Sequence, residues 1–234
     1  MALPRIDTPT YQITLPSTGE NIQFRPFLVK EQKIIMMAQE SDDNTNMMDA
    51  VLKLVSACTF NKIGVENSPT FDVEYLFLRI RGKSVGETVT VNLTCPDDEI
   101  TKVPVKINLE DVKLETSPDH NPFLHITDTI KVVFKYPTLR DMKNIPDINS
   151  SSGIFKVMYN CIKEIHYGDD VYHRIDISDK DIEEFVDQLT ADQFEKIIQF
   201  FQTMPKLSHK VSITNPKTKV QSEVTLEGLQ NFLG

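Results

Sequence analysis

Two short runs in this chain have the outline of a metal-binding hairpin tip: Cys95-Pro96-Asp97-Asp98 and Asn215-Pro216-Lys217-Thr218. A zinc knuckle needs paired soft ligands, usually Cys-x-x-Cys, to fill a tetrahedral shell. The first run supplies one thiol and the second none, so Asp97 and Asp98 read as solvated turn residues and no metal is expected. The histidines offer no better lead. His120 and His125 flank Pro122 and Phe123, and His166 and His173 straddle the turn Gly168-Asp169-Asp170. None forms the i, i+4 pair of a helical metalloprotease site. A Cys161–His166 nucleophile pair fails on spacing, because five residues along a helix turn the two to different faces. Gly82-Lys83-Ser84 has the ending of a phosphate loop, but the glycine required five positions earlier is Phe77. The run also closes an expected helix where a phosphate loop opens one. Gly82 therefore reads as a helix C-cap, a place glycine fills because it tolerates the left-handed conformation. With no G-x-S-x-G elbow either, no catalytic constellation and no cofactor are expected.

Composition narrows the class further. The 234 residues carry 25 Lys and Arg against 34 Asp and Glu, a formal charge of −9, with 40% hydrophobic residues. That length suits one to two domains, and the apolar content suffices for a packed core. The acidic balance and the lack of a basic stripe argue against a nucleic-acid binder or an anionic-membrane binder. No apolar run approaches the roughly 20 residues of a membrane span, and the opening MALPRIDTPTYQI has no signal-peptide block. Three scattered cysteines, Cys58, Cys95 and Cys161, make no disulfide framework and point to a soluble protein of a reducing compartment.

The elements follow from periodicity. Tyr11, Ile13 and Leu15, the turn PSTGE, then Ile22 and Phe24 form a hairpin closed by Pro26. A helix is expected over 28–39 with Ile34, Ile35 and Ala38 inward, then a loop SDDNTN, then a helix through Met47, Val51, Val55 and Cys58. FDVEYLFLRIRGKS is a helix with apolar stripes on both sides, one of which is free for a partner unless the helix is central. Thr88 to Cys95 is a clean alternating strand, and Val103, Val105, Ile107 and Leu109 return from its turn. LETSPDHNP reads as a boundary.

Beyond it come a hairpin from FLHIT to IKVVFKY, a short helical stretch through Leu139 and Met142, and SSSG as a loop. A helix over 154–165 follows. Two capped helices come next, Ser178 with Asp181 and Thr190 with Gln193. A last hairpin turns at NPKT, and the tail runs from Leu229 to Leu233.

The halves run parallel. Each opens with a hairpin ending in an aromatic, basic and proline cluster, Phe24-Arg25-Pro26 or Phe134-Lys135-Tyr136-Pro137. Each then has a helix with a cysteine, a strongly apolar helix, and a hairpin with an x-Pro-x-x tip. The parallel favours internal duplication. The expected fold is α+β, two similar lobes over residues 1–115 and 120–234, each of antiparallel hairpins packed on helices. Apolar residues such as Met36-Met37, Met47-Met48 and Phe200-Phe201 exceed what a pocketless protein requires. Methionine-rich faces suit adaptable contacts.

LPSTGENIQFRPFLVKEQK, FDVEYLFLRIRGKSVGE, FFQTMPKLSHKV and VTLEGLQNFLG resemble the baseplate hub subunit family of T-even-type contractile-tailed bacteriophages. The resemblance runs from Pro4 to Gly234 and rests on the order of several segments. It implies a small protein needed to build the central hub of the tail baseplate. Where relatives carry Cys-x-x-Cys at the final hairpin tip, this sequence has NPKT.

The resulting expectation is a non-enzymatic structural or assembly protein that docks other baseplate or tail proteins, with a homo-oligomer compatible. Its place is the virion baseplate, and the host cytoplasm during assembly. The alternative is a transient assembly chaperone absent from the virion. Tyr75, Leu78, Phe200 and Phe232 are the expected partner-binding residues.

Overall fold

The computed structural model describes residues 6–40, 44–142, 145, 147 and 150–232. The chain divides into two compact units. The first combines Met1–Glu115 with Lys206–Gly234, and the second is Thr116–Pro205.

In the first unit, β1 (Tyr11–Thr14) pairs antiparallel with β2 (Asn21–Phe24). Ile22 and Phe24 are buried, and the Phe24 ring lies 5.6 Å from that of Tyr11. Helices α1 (Val29–Glu40), α2 (Asn44–Cys58) and α3 (Thr70–Val85) follow. On α1 the inward residues are Glu31 and Ala38, whereas Ile34 is exposed. Residues 44–46 of the expected SDDNTN loop open α2, and residues 41–43 lie outside the described residues. α3 is the central helix, burying Phe71, Val73, Leu76, Phe77, Leu78 and Ile80. Both of its apolar stripes therefore meet protein. Gly82 lies within α3, and the C-cap is Gly86, whose φ of 115° favours a residue without a Cβ.

The strand β3 (Thr88–Thr94) pairs with β4 (Lys102–Asn108) and alternates exposed and buried along its length. Pro104 is tolerated because, among the described residues, this sheet has two strands and leaves one edge of β4 without a strand partner.

β5 (Lys113–Glu115) falls where the sequence reads as a boundary. It pairs with β10 (Lys206–Thr214), Glu115 opposite Lys206 and Leu114 opposite Leu207, and β10 pairs with β11 (Gln221–Glu227). The closing hairpin, expected in a lobe of 120–234, is thereby hydrogen-bonded into the first unit. A 3-10 turn, Leu229–Phe232, ends the described chain; Leu233 of the expected tail lies outside it.

The second unit is built on one antiparallel sheet in the order β6 (Phe123–His125), β7 (Ile130–Phe134), β8 (Ile162–Tyr167), β9 (Asp170–His173). Helices α4 (Leu139–Met142), α5 (Ser151–Cys161), α6 (Asp179–Asp187) and α7 (Ala191–Thr203) complete it. SSSG is not a loop: Ser150 caps α5 by accepting from the Gly153 amide. The helix expected over 154–165 stops at Cys161, and Ile162 to Tyr167 turn extended to pair with β7. Long-range pairing overrides a local pattern that both periods fit. Both expected caps are present, and Thr190 with Gln193 forms a complete capping box. The core gathers Val132 and Phe134 from β7, Ile165 from β8, Met158 and Cys161 from α5, and Ile182, Ile197 and Phe200 from α6 and α7.

The chain is α+β throughout, but the two units are not matched in strand order. Among the described residues the first holds two hairpin sheets and a three-stranded sheet, and the second a single four-stranded sheet.

Candidate functional site

Three of the four residues expected to meet a partner lie in the interior. Leu78 and Phe232 are 0% exposed, and Phe200 is 1% exposed. Phe200 sits among aromatic neighbours, its ring 5.1 Å from those of Phe134 and His120 and 5.0 Å from that of Phe201. Tyr75 is half-buried beneath the Arg79 guanidinium, 4.9 Å from its ring centre.

The two proline tips meet. Asn215 donates its amide to both oxygens of Asp97 at 3.1 and 3.0 Å, and the Thr218 hydroxyl donates to the same carboxylate. The Thr218 hydrogen bond holds the Asp97 carboxyl below the usual range. Asp98 turns inward on its own loop, accepting from the Thr101 hydroxyl at 2.6 Å and its amide at 2.9 Å. A third tip, Leu15-Pro16-Ser17-Thr18-Gly19, has the same construction. In each, the fifth residue (Gly19, Glu99 or Lys219) is left-handed and donates its amide to the carbonyl of the first. Its middle serine is also tied to a carboxylate, that of buried Asp72 on α3. Polar hydrogen bonds fasten these tips, and no group of three or more His, Cys, Asp or Glu able to hold a metal occurs among the described residues.

The histidines are placed by the sheet and its helices. His120 lies between the Thr203 hydroxyl and the Tyr136 phenol at 3.0 and 3.1 Å, and burial holds its pKa below the ordinary value. His166 bonds Glu164 at 3.0 Å, and His173, opposite Glu164 across β8 and β9, comes within 3.7 Å of it. A cleft of about 300 Å³ opens nearby, lined by Ile130, Ile165, Tyr167, Tyr172, Ile177, Asp181 and Phe185. Alternation along β8 directs Ile165 and Tyr167 into this cleft and Glu164 and His166 to the opposite face. Glu164, His166 and His173 are thus on the other side of the sheet from the cleft, whose one carboxylate is Asp181.

Exposed apolar side chains concentrate in two places. On α1, Val29, Met36 and Met37 face solvent. At the far edge of the second unit, Tyr167, Val171 and Tyr172 are about half exposed and Ile175 is 92% exposed. From the sequence this second place reads as a turn. Its signal was the strand-forming pair Val171-Tyr172 one residue after Gly168-Asp169, with glycine at the first position of a two-residue hairpin turn.

The fold is that of an α+β protein, and among the described residues no helix is long and apolar enough to cross a membrane. The chain belongs to the T4 bacteriophage base plate protein family, whose model matches residues 8–234. Membership makes it a structural protein of the phage tail baseplate and implies contact with other tail and baseplate proteins. No curated protein and no solved structure matches it.

Proposed function

We propose that this chain is a subunit of the central hub of the baseplate and that it works by protein–protein docking without catalysis. The observation that carries the reading is the family match across nearly the whole chain. The exposed apolar residues on α1 and at the β9 edge supply surface for such docking, and the acidic balance tunes which partners approach. Nucleic acid and membrane are not partners in this reading. The protein is made in the host cytoplasm and ends in the virion.

Quantitative mass spectrometry of purified virions tests it. The expected result is this chain at a fixed ratio to the other tail proteins. Absence from virions together with abundance in infected-cell lysate would replace the subunit by a transient assembly chaperone.

A further inference from the structure

The far edge of the four-stranded sheet combines features that belong to a strand-accepting site. Among the described residues β9 pairs only with β8, so its outer backbone groups have no sheet neighbour there. All four of its residues are exposed. Tyr172, on β9, also walls the cleft that runs between the sheet and α6. An extended segment laid along β9 would have backbone partners beside it and a cavity beneath it for one side chain.

Charge selects the occupant. Residues 164–187 hold nine carboxylates and two cations, Arg174 and Lys180. Both cations are engaged internally, Arg174 with Asp179 and Lys180 with Glu184 at 3.2 Å. Asp169, Asp170 and Asp176 stand exposed around the edge, and Asp181 reaches the cleft. A second copy of this acidic chain would bring like charge against like charge at the same edge, which disfavours it as the occupant.

We infer that the β9 edge receives an extended, Lys- or Arg-bearing segment of another tail protein, which adds as a strand and places one apolar side chain in the cleft beside Tyr172 and Phe185. This rests on the docking reading above and names its partner's chemistry.

The test uses the full chain against an array of overlapping peptides tiled from the other tail proteins of its phage. Bound peptides are expected to be net positive with alternating apolar residues, and binding is expected to weaken as salt rises. Peptide should slow amide hydrogen exchange at residues 170–173. Tyr172→Thr, which keeps a strand-forming residue, should weaken binding about tenfold. The pair Asp169→Asn and Asp170→Asn should weaken it without lowering the melting temperature. An array without binders, bound peptides that are not basic, or binding unchanged in both variants overturns the proposal. Virion mass spectrometry separates the two claims. A chain absent from virions that still binds basic peptides sinks the hub-subunit reading alone, and a stoichiometric chain with no such binding sinks this one alone.

Discussion

At the exit of β2 the Arg25 amide donates to the carbonyl of Cys58 at 2.9 Å, and at the exit of β7 the Lys135 amide donates to that of Cys161 at 2.8 Å. In both places the basic side chain reaches an acid six residues on, Arg25 to Glu31 at 2.9 Å and Lys135 to Asp141 at 2.6 Å. In both, that acid also accepts the amide three residues before it, from Leu28 at 2.8 Å or from Thr138 at 2.9 Å. The clasps share a backbone plan and differ in how it is sealed. Arg25 and Glu31 have side chains 12% and 4% exposed, whereas Lys135 is 39% exposed. Arg25 spreads its guanidinium further, to the Pro26 carbonyl at 2.9 Å and the Cys58 sulfur at 3.8 Å. At the second clasp the Thr138 hydroxyl also bonds Asp141, closing a reciprocal cap that Leu28 has no hydroxyl to form. One region relies on a buried charge pair and the other on a helix cap, so the same substitution should cost different amounts.

Removing the acid should separate them most. Glu31→Ala leaves Arg25 largely out of water without its carboxylate, and about 3 kcal/mol of stability should be lost in urea unfolding. Asp141→Ala should cost about 1–2 kcal/mol, because Lys135 can turn to solvent and the loss is chiefly that of a cap. Equal losses would show that burial does not distinguish the clasps.

Acid titration sharpens the first clasp. Burial pushes the Glu31 carboxyl up, but hydrogen bonds from Arg25 and the Leu28 amide and the nearby charges outweigh it, so its pKa lies below the usual value. Stability from this group is complete above the unfolded pKa near 4.5 and should drain away as pH falls through the folded value. Glu31→Gln should flatten that limb of the pH–stability curve.

Glu74 on α3 behaves oppositely. Burial raises its pKa to about 7, against an opposing hydrogen bond from the Leu229 amide. The unfolded chain ionises first, so this group should make stability fall between about pH 4.5 and pH 7, by up to about 3 kcal/mol. Glu74→Gln should remove that decline. A wild-type curve flat over this range would mean that the carboxylate is solvated.

A smaller effect runs the other way. Leu28→Thr should supply the missing hydroxyl and raise stability by about 0.5–1 kcal/mol, since Leu28 is 41% exposed and loses little packing. An unchanged melting temperature would show that the Leu28 backbone cannot adopt the cap geometry.

The sequence made half of each clasp visible. Phe24-Arg25-Pro26 and Phe134-Lys135-Tyr136-Pro137 stood out as a pair, but the acids six residues on lie beyond the reach of strand or helix periodicity. Strands with one buried face were readable, as at Thr88–Thr94, because alternation reports burial directly. Ile162–Tyr167 was not, since its apolar residues also continue the helical spacing of Val157, Met158 and Cys161. β5 was lost because three residues carry no period, and its existence depends on a strand far away in sequence. Gly82 reads as a cap because glycine marks helix ends statistically, yet it is Gly86 that has the left-handed φ. Leu78, Phe200 and Phe232 show the limit for sites: an apolar residue reads the same in a core and at a docking face until its neighbours are placed.

The ladder between β5 and β10 has a consequence in time. Glu115 and Lys206 are opposed residues, so the chain leaves the first unit and returns to it at one spot, with the whole of the second unit threaded between. On the ribosome, β5 emerges long before the strand that will complete its sheet. The second unit is entirely synthesised in that interval, and domains generally fold as units during synthesis. Its folding shortens the effective loop and lowers the entropic cost of bringing β10 back to β5. The first unit completes its three-stranded sheet only once β10 and β11 have been made.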